Sequence, residues 1–532
     1  MALPARATAG SLTLYRRLLG RRLGLLVAVL NDWEPLLLAS LGVVAALIVL
    51  GRYPIGQNSD GLLETIMSIQ QLTVFFWGQD RFANLLPALT AGVTDPHANA
   101  ICQLALRTLL GLLAPLFFCV LATPRDDAGT AWRATAAASA LLLAFMPQRE
   151  VFEAYIEASP YGTSFALAGF ALLAFRRAAL AMEGNWSRPA LRAIGLVLTC
   201  AAYMVNASMV LVAAPLLAGE LLLFGSALAM DFSVASLAAV MATAALIAGV
   251  PNDIPHTPFG FGETTIGLSY YGGAMPGKPG RFFACVLPAT GVSLLLLRYG
   301  WRDRRVSEHL GQAGILVAAL TISFIATALS SWVILNSMHP RYLVPEYFLT
   351  ASLGGVSLVH LVRGTVRSGA VQRAVLVGVC ACLLLGAMHR TSSSRKEPTI
   401  DIVSGASKEV ADAVAAAVLE RSLDGVAGDY WDVWPAVFQA EQLAYDFGRP
   451  VGHVFGITPR GEGRRSAFVA QRLQKGRLGI ACIGYDPDNC RALVLRTMRP
   501  PDTLARPAWP TMALPDGRVL TFLTIERPRP GA

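Results

Sequence analysis

Three short stretches of this chain carry residue types and spacings that could do chemistry. An apolar run just past the middle ends in Asn336-Ser-Met-His339-Pro340-Arg341-Tyr342-Leu343-Val344-Pro345-Glu346. A guanidinium beside hydrocarbon is costly without a partner, and the planar fork of Arg341 suits a phosphate or a carboxylate. Lipid-linked phosphates occupy that depth, so Arg341 and His339 are candidate phosphate contacts and Tyr342 a candidate substrate contact. Earlier, Gln57-Asn58-Ser59-Asp60-Gly61-Leu62-Leu63-Glu64 opens an amphipathic stretch. Asp60 there either takes a proton from a hydroxyl as a general base or caps the helix by accepting a backbone N–H. Glu64 stands one helical turn on. A third group, Glu150, Glu153 and Glu157, follows i, i+3, i+7 spacing and would share one helical face. Clustered acids bind sugar hydroxyls, hold a divalent metal, or simply face water.

Long segments between apolar runs must position these groups. One reaches from about Tyr53 to Ala98 and includes Phe75-Phe76-Trp77, which fits a helix lying at a membrane interface, and Asp80-Arg81, which reads as a local surface pair. Another, 251–281, carries His256, Glu263, Tyr270, Tyr271, Lys278 and Arg281 among prolines and glycines. Such a loop either folds over a cavity as a lid, with Lys278 and Arg281 near a lipid phosphate and His256 near substrate, or anchors the next span.

The elements behind these loops follow from composition. With 54% hydrophobic and 15% charged residues over 532 positions, the chain is too apolar for a soluble globular protein. Apolar runs long enough to cross a hydrocarbon core of about 30 Å recur through the first three quarters. About eleven are predicted, centred near Ala45, Leu112, Leu141, Ala171, Leu198, Pro215, Ala242, Leu294, Ile322, Leu358 and Leu383. The fifth and sixth are parted only by Val205-Asn206-Ala207-Ser208. The fold class is therefore a polytopic α-helical membrane protein, with residues 1–33 as a cytoplasmic or interfacial segment, 34–390 as the spanning domain and 391–532 as a C-terminal α/β domain.

Basic residues gather in alternate loops. Arg16, Arg17, Arg21 and Arg22 precede the first span, and Arg125 with Arg133, Arg176-Arg177 with Arg188, Arg302 with Arg304 and Arg363 with Arg367 follow on the same side. The positive-inside rule then puts the N-terminus in the cytosol and the C-terminal domain outside. The net charge of +9 is orientation charge, and no dense basic stripe with interleaved aromatics points to nucleic acid. Residues 11–33 alternate leucines and arginines at helical intervals, as an interfacial helix does.

Six of the eight cysteines sit in or near spans as small apolar residues. Cys482 and Cys490 bracket a turn in the C-terminal part and are candidates for a disulfide or for two free thiols. In that part strands are expected at 399–403, 425–429, 451–457, 478–483, 492–496 and 519–525, and helices at 407–422, 434–445 and 465–475. Tyr430, Trp431 and Trp434 either stack on a sugar ring or pack in a core. No CxxC pair, His-rich cluster, GxGxxG or P-loop occurs where a structural metal or a nucleotide would need it.

Taken together, Asp60 early in a large first loop, the acids Glu150, Glu153 and Glu157, the Arg341-Tyr-Leu-Val-Pro345 stretch and the C-terminal domain with Tyr430-Trp-Asp-Val-Trp-Pro435 resemble the GT-C superfamily of integral-membrane glycosyltransferases. That group contains the protein O-mannosyltransferases and the aminoarabinose transferase of lipid A. Several members have Asp-Glu at the first-loop position, whereas Asp60 stands between Ser59 and Gly61. The resemblance implies transfer of a sugar from a polyprenyl-phosphate donor to an acceptor hydroxyl of a lipid, glycan or protein, on the outer face of a bacterial inner membrane. It implies Asp60, with Glu64 beside it, as the catalytic carboxylate, and Arg341, His339, Lys278 and Arg281 as the donor-phosphate contacts. No cofactor is implied, a divalent metal being left open by the clustered acids. A transporter or flippase of a lipid-linked saccharide, or a polymerase or ligase of surface glycans, would share the substrate class.

Overall fold

The structure, a computed structural model, describes residues 35–53, 55–77, 83–123, 128–157, 160–181, 186–248, 287, 291, 304–330, 333–334, 336, 339–392, 401–403, 406–460, 477–498 and 504–526. The 11–33 segment, Asp80-Arg81, the loop with His256, Lys278 and Arg281, the span expected near Leu294 and the helix expected at 465–475 lie outside the described residues.

The described residues begin with α1 (Pro35–Arg52), α2 (Ser59–Ile69), α3 (Leu85–Thr90), α4 (Pro96–Leu113) and α5 (Leu116–Leu121), the last two forming one span interrupted at Pro115. Then come α6 (Ala128–Phe145), α7 (Gln148–Tyr155), α8 (Pro160–Leu180) and α9 (Ser187–Val205), followed after a 3-10 turn by α10 (Val210–Phe224) and α11 (Ala227–Ile247). The bundle closes with α12 (Arg304–Leu329), a 3-10 turn at Pro340–Leu343, α13 (Val344–Thr365) and α14 (Gly369–Ser392). Among the described residues nine helices are long and apolar enough to cross a membrane. They contain nine of the eleven expected centres; Leu141 falls in α6, an 18-residue helix below the hydropathy of the others.

The apolar residues divide as a bilayer requires. Leu47, Val197, Met241 and Leu385 are each more than 60% exposed, on helices with little polar surface to replace them, which suits contact with hydrocarbon. In contrast α13 is enclosed, with Val344, Tyr347, Phe348, Leu349 and Ala351 fully buried. It packs closely on α6 because Gly355 has no Cβ. A Cβ there would collide with the Ala134 carbonyl oxygen and stand 2.9 Å from the Ala138 nitrogen.

The C-terminal domain places α15 (Ala406–Glu420), α16 (Tyr430–Asp446) and α17 (Pro487–Met498) on a five-stranded sheet of order β2-β1-β3-β5-β4. Its strands are β1 (Gly425–Ala427), β2 (Phe455–Ile457), β3 (Arg477–Ile483), β4 (Leu504–Ala513) and β5 (Val519–Glu526). β1 is parallel to β2 and β3, whereas β5 is antiparallel to β3 and β4. Leu478, Ile480, Cys482, Leu523 and Ile525 face α17, while Ala481, Ile483, Leu520 and Phe522 join a core shared with α15, α16 and the helix bundle.

Two sequence expectations fail here. Residues 492–496 are helical, not a strand. Asp486 accepts from the Asn489 N–H at 2.8 Å, Pro487 opens the helix, and Cys490, Leu493 and Val494 at i, i+3, i+4 are the buried face, so the period is 3.6 and not 2. Conversely β4 was not anticipated, because Pro507 and Pro510 speak against a strand. Among the described strands it lies at the sheet edge, paired with β5, and shifts register at Pro507/Trp509 and Trp509/Met512, where missing N–H donors are tolerated.

Candidate active site

The first long segment is folded against the C-terminal domain. Gln57 pairs with Val403, its N–H reaching the Ile402 carbonyl at 2.6 Å, so the chain after the last span lies beside the start of α2. Leu62, Leu63, Ile66 and Met67 bury one side of α2 completely. At its far end Gln70 donates to Glu441 at 3.1 Å and to the Val454 carbonyl at 2.6 Å. Glu441, fully buried on α16, also accepts the N–H groups of Gly452 at 2.5 Å and Val454 at 2.6 Å. Phe75, Phe76 and Trp77, expected at a lipid interface, are instead buried, and Trp77 meets Trp434 edge-on with centroids 6.2 Å apart. The aromatic cluster seats the C-terminal domain, and Trp434 is core.

Asn58, not Asp60, caps α2: its side chain accepts from the Gly61 N–H at 3.2 Å. Asp60 is thereby released from capping. Its Oδ1 accepts a hydrogen bond from the Tyr430 hydroxyl, projected from the first turn of α16. The Arg460 guanidinium stacks over the Tyr430 ring at 4.1 Å and the Trp431 ring at 5.6 Å. Enclosure in the protein raises the Asp60 pKa above the usual carboxylate range, and the Tyr430 hydrogen bond and the charges of Arg341 and Arg460 offset part of that rise.

Asp60, Glu64, Arg341, Tyr342, Trp431 and Arg460 line one cavity of about 740 Å³. Arg341 lies in the 3-10 turn ahead of α13, donates to the Tyr342 hydroxyl at 3.3 Å and stands 5.2 Å from its ring centroid. Glu64 is held in an ion pair with Arg107, a 2% exposed arginine on α4 that also donates to Gln57 at 3.0 Å and the Ile156 carbonyl at 2.8 Å. Enclosure raises the Glu64 pKa, with Arg107 opposing it.

The other acids form a layer behind this wall. Glu150 and Glu153 are 5% and 4% exposed, so neither faces water as a solvated acid would. Glu157 lies beyond the end of α7 rather than on its face, and accepts a hydrogen bond from the Asn58 side chain. Glu153 stands 3.4 Å from His339 and 4.0 Å from Arg149. Burial and the adjoining Glu157 raise the Glu153 pKa, whereas burial and the charges of Arg341 and Arg149 lower that of His339. His339 Nε2 is 3.0 Å from Arg149, and its Nδ1 meets the Arg341 N–H at 3.5 Å. Cys482 and Cys490 form a disulfide away from the cavity, their Cα atoms 5.9 Å apart. Among the described residues no group of three His, Cys, Asp or Glu side chains is placed to hold a metal ion.

Sequence reasoning missed Arg107 and Arg460. A single arginine inside the apolar run of α4 was a usable signal, because intramembrane charges rarely lack a role. Arg460 follows a short strand in a Thr-Pro-Arg-Gly turn that carries no signal at all.

No protein-family model and no curated protein matches this sequence. Among solved structures, the chain superposes on ArnT from Cupriavidus metallidurans in the apo state with a TM-score of 0.53 at 14% identity, over 93% of this chain and 98% of that one. ArnT from Cupriavidus metallidurans bound to undecaprenyl phosphate gives a TM-score of 0.52 at the same identity and coverage. The archaeal oligosaccharyltransferase AglB from Archaeoglobus fulgidus gives 0.40 at 14% identity, over 87% of this chain and 71% of that one. The likeness to ArnT is one of fold and runs the length of both chains: this protein has an ArnT-like fold.

Proposed function

We propose that this protein is a membrane glycosyltransferase that moves a sugar from a polyprenyl-phosphate donor to an acceptor hydroxyl on the extracytoplasmic face. The observation that carries this reading is a single cavity in which the Asp60 carboxylate shares the wall with the guanidinium groups of Arg341 and Arg460. In this reading the acceptor O–H gives its proton to Asp60 as its oxygen forms a bond to the anomeric carbon. The bond from that carbon to the phosphate oxygen breaks, and its electron pair leaves with the polyprenyl phosphate. Arg341 and Arg460 stabilise the charge gained there. Tyr430 occupies Oδ1 of Asp60, so Oδ2 takes the proton. Single displacement inverts the anomeric centre. ArnT of Cupriavidus metallidurans, which shares the fold, binds undecaprenyl phosphate, and a ligand of that class would set its phosphate at these two arginines. Lys278, Arg281 and His256 remain candidate contacts from the 251–281 loop.

Purified protein in lipid, supplied with a panel of polyprenyl-phosphate monosaccharides, should release polyprenyl phosphate, and Asp60→Asn should lower that rate at least about a hundredfold while the protein stays folded. Retained turnover would move the base to Glu64 or the α7 acids. Arg341→Ala should weaken binding of undecaprenyl phosphate roughly tenfold or more, as loss of a charge-assisted contact does; unchanged affinity would leave Arg341 a structural residue. Passage of labelled lipid-saccharide across vesicles without a new glycosidic bond would identify a transporter instead.

A further inference from the structure

One part of the cavity wall is polar but uncharged. Asn206, 3% exposed, fills the break between α9 and α10. Its Oδ1 accepts from the N–H and hydroxyl of Ser208 at 3.1 and 2.6 Å, whereas its buried Nδ2 has no partner among the described residues. On α12, which packs against both α10 and α13, Ser323 and Thr327 donate their hydroxyl protons to Oε1 of Glu346 at 2.7 and 3.1 Å. Glu346, 1% exposed, is not itself on the cavity wall. Asn206, Ser208, Ser323 and Thr327 all are.

These bonds decide what the wall offers a ligand. A hydroxyl whose proton is committed to a buried carboxylate keeps only lone pairs, so Ser323 and Thr327 present acceptors. The Asn206 amide presents a donor, and a buried amide N–H without a partner is destabilising until an oxygen meets it. A donor and acceptors on the wall of one cavity suit the hydroxyls of a pyranose, each of which can give one hydrogen bond and take another. The described charged groups of the cavity belong to α2, α4, the turn before α13 and the C-terminal domain, so an ionised sugar lying along α10 and α12 would have no described counter-ion on that wall.

Resting on the proposed polyprenyl-phosphate donor, we infer that Asn206, Ser323 and Thr327 form the subsite for the transferred sugar, that Glu346 is the positioning residue that orients the two hydroxyls, and that the sugar is an uncharged hexose. The test measures affinity of the intact protein in nanodiscs for undecaprenyl phosphate and for its glucosyl, galactosyl, mannosyl, glucosaminyl and glucuronosyl esters. At least one neutral hexosyl ester should bind wild type more tightly than bare undecaprenyl phosphate. Asn206→Ala should remove roughly three- to tenfold of that increment, as loss of one neutral hydrogen bond does, and leave the affinity for the bare lipid unchanged. Thr327→Val, which keeps the shape and removes the hydroxyl, should do the same should Asn206→Ala misfold. Glu346→Gln, still able to accept from both hydroxyls, should retain more of the increment than Glu346→Ala. Tighter binding of the charged esters, or an equal loss for bare and hexosyl lipid, would overturn the subsite while leaving the donor class standing. Absence of any binding of undecaprenyl phosphate to wild type would overturn the donor class, and the subsite with it.

Discussion

At the scale of the residue, the Asp60 carboxylate is governed by contacts that come from far along the chain. Enclosure favours its neutral form, and the Tyr430 hydrogen bond with the charges of Arg341 and Arg460 favours the ionised form. A base must be ionised to accept a proton, so turnover should rise with pH through the Asp60 pKa, and this limb should sit above the usual carboxylate range. Tyr430→Phe deletes a contact that favours ionisation. The Asp60 pKa then rises further and the acid limb of the pH–rate profile should move to higher pH, with the rate at high pH less affected. A limb that stays in place would mean that Asp60 is not the group whose ionisation is being read. The local sequence left capping and catalysis as equal roles for Asp60. Asn58 takes the cap, a choice two residues apart that propensity does not separate, and the pH profile is what tests the catalytic role.

At the scale of the element, close helix contact depends on what a side chain would strike. Gly355 lets α13 lie against α6 and, through α13, holds the turn that carries Arg341. Gly355→Val should destabilise the bundle by about 1–3 kcal/mol through overpacking, read as a lower thermal midpoint by tryptophan fluorescence. An unchanged midpoint would show that the helices can part without cost. The helices were legible in the sequence because each span is a long apolar run. The sheet was less so. β1 and β2 are three residues each, and β4 contains two prolines that only its edge position accommodates. For α17, the Leu493-Val494-Leu495 run looked strand-like, while the Asp486 cap and Pro487 prevailed.

At the scale of the whole molecule, the two parts work as one body. The core is continuous from the helix bundle into the face of the sheet that carries α15 and α16, and Trp77 against Trp434 is its seam. The cavity takes Trp431 and Arg460 from the C-terminal domain and the remaining charged groups from the bundle, so neither part alone holds the arrangement. With basic residues clustered on the side of the N-terminus, the C-terminus should lie outside the cytosol. Alkaline phosphatase fused there should be active in intact cells and a green fluorescent protein fused there dark. The reverse pattern would invert the topology and remove the extracytoplasmic donor from consideration.

Hydropathy and charge placement, read along the chain, are enough to specify a polytopic helical protein, the approximate centres of its spans, an α/β tail and the acids and arginine worth testing. These are local properties, set by runs of neighbouring residues. Pairing is not local. The Tyr430 hydroxyl meets a carboxylate 370 positions away, Gln70 meets Glu441 across 371, and Arg107 meets Glu64 across 43. Such contacts depend on how helices pack and where a tail docks, and a buried polar group takes whichever partner the packing brings within reach. Which acids face the cavity, which stand behind it, and that Arg460 belongs to it at all therefore emerged only once the chain was folded.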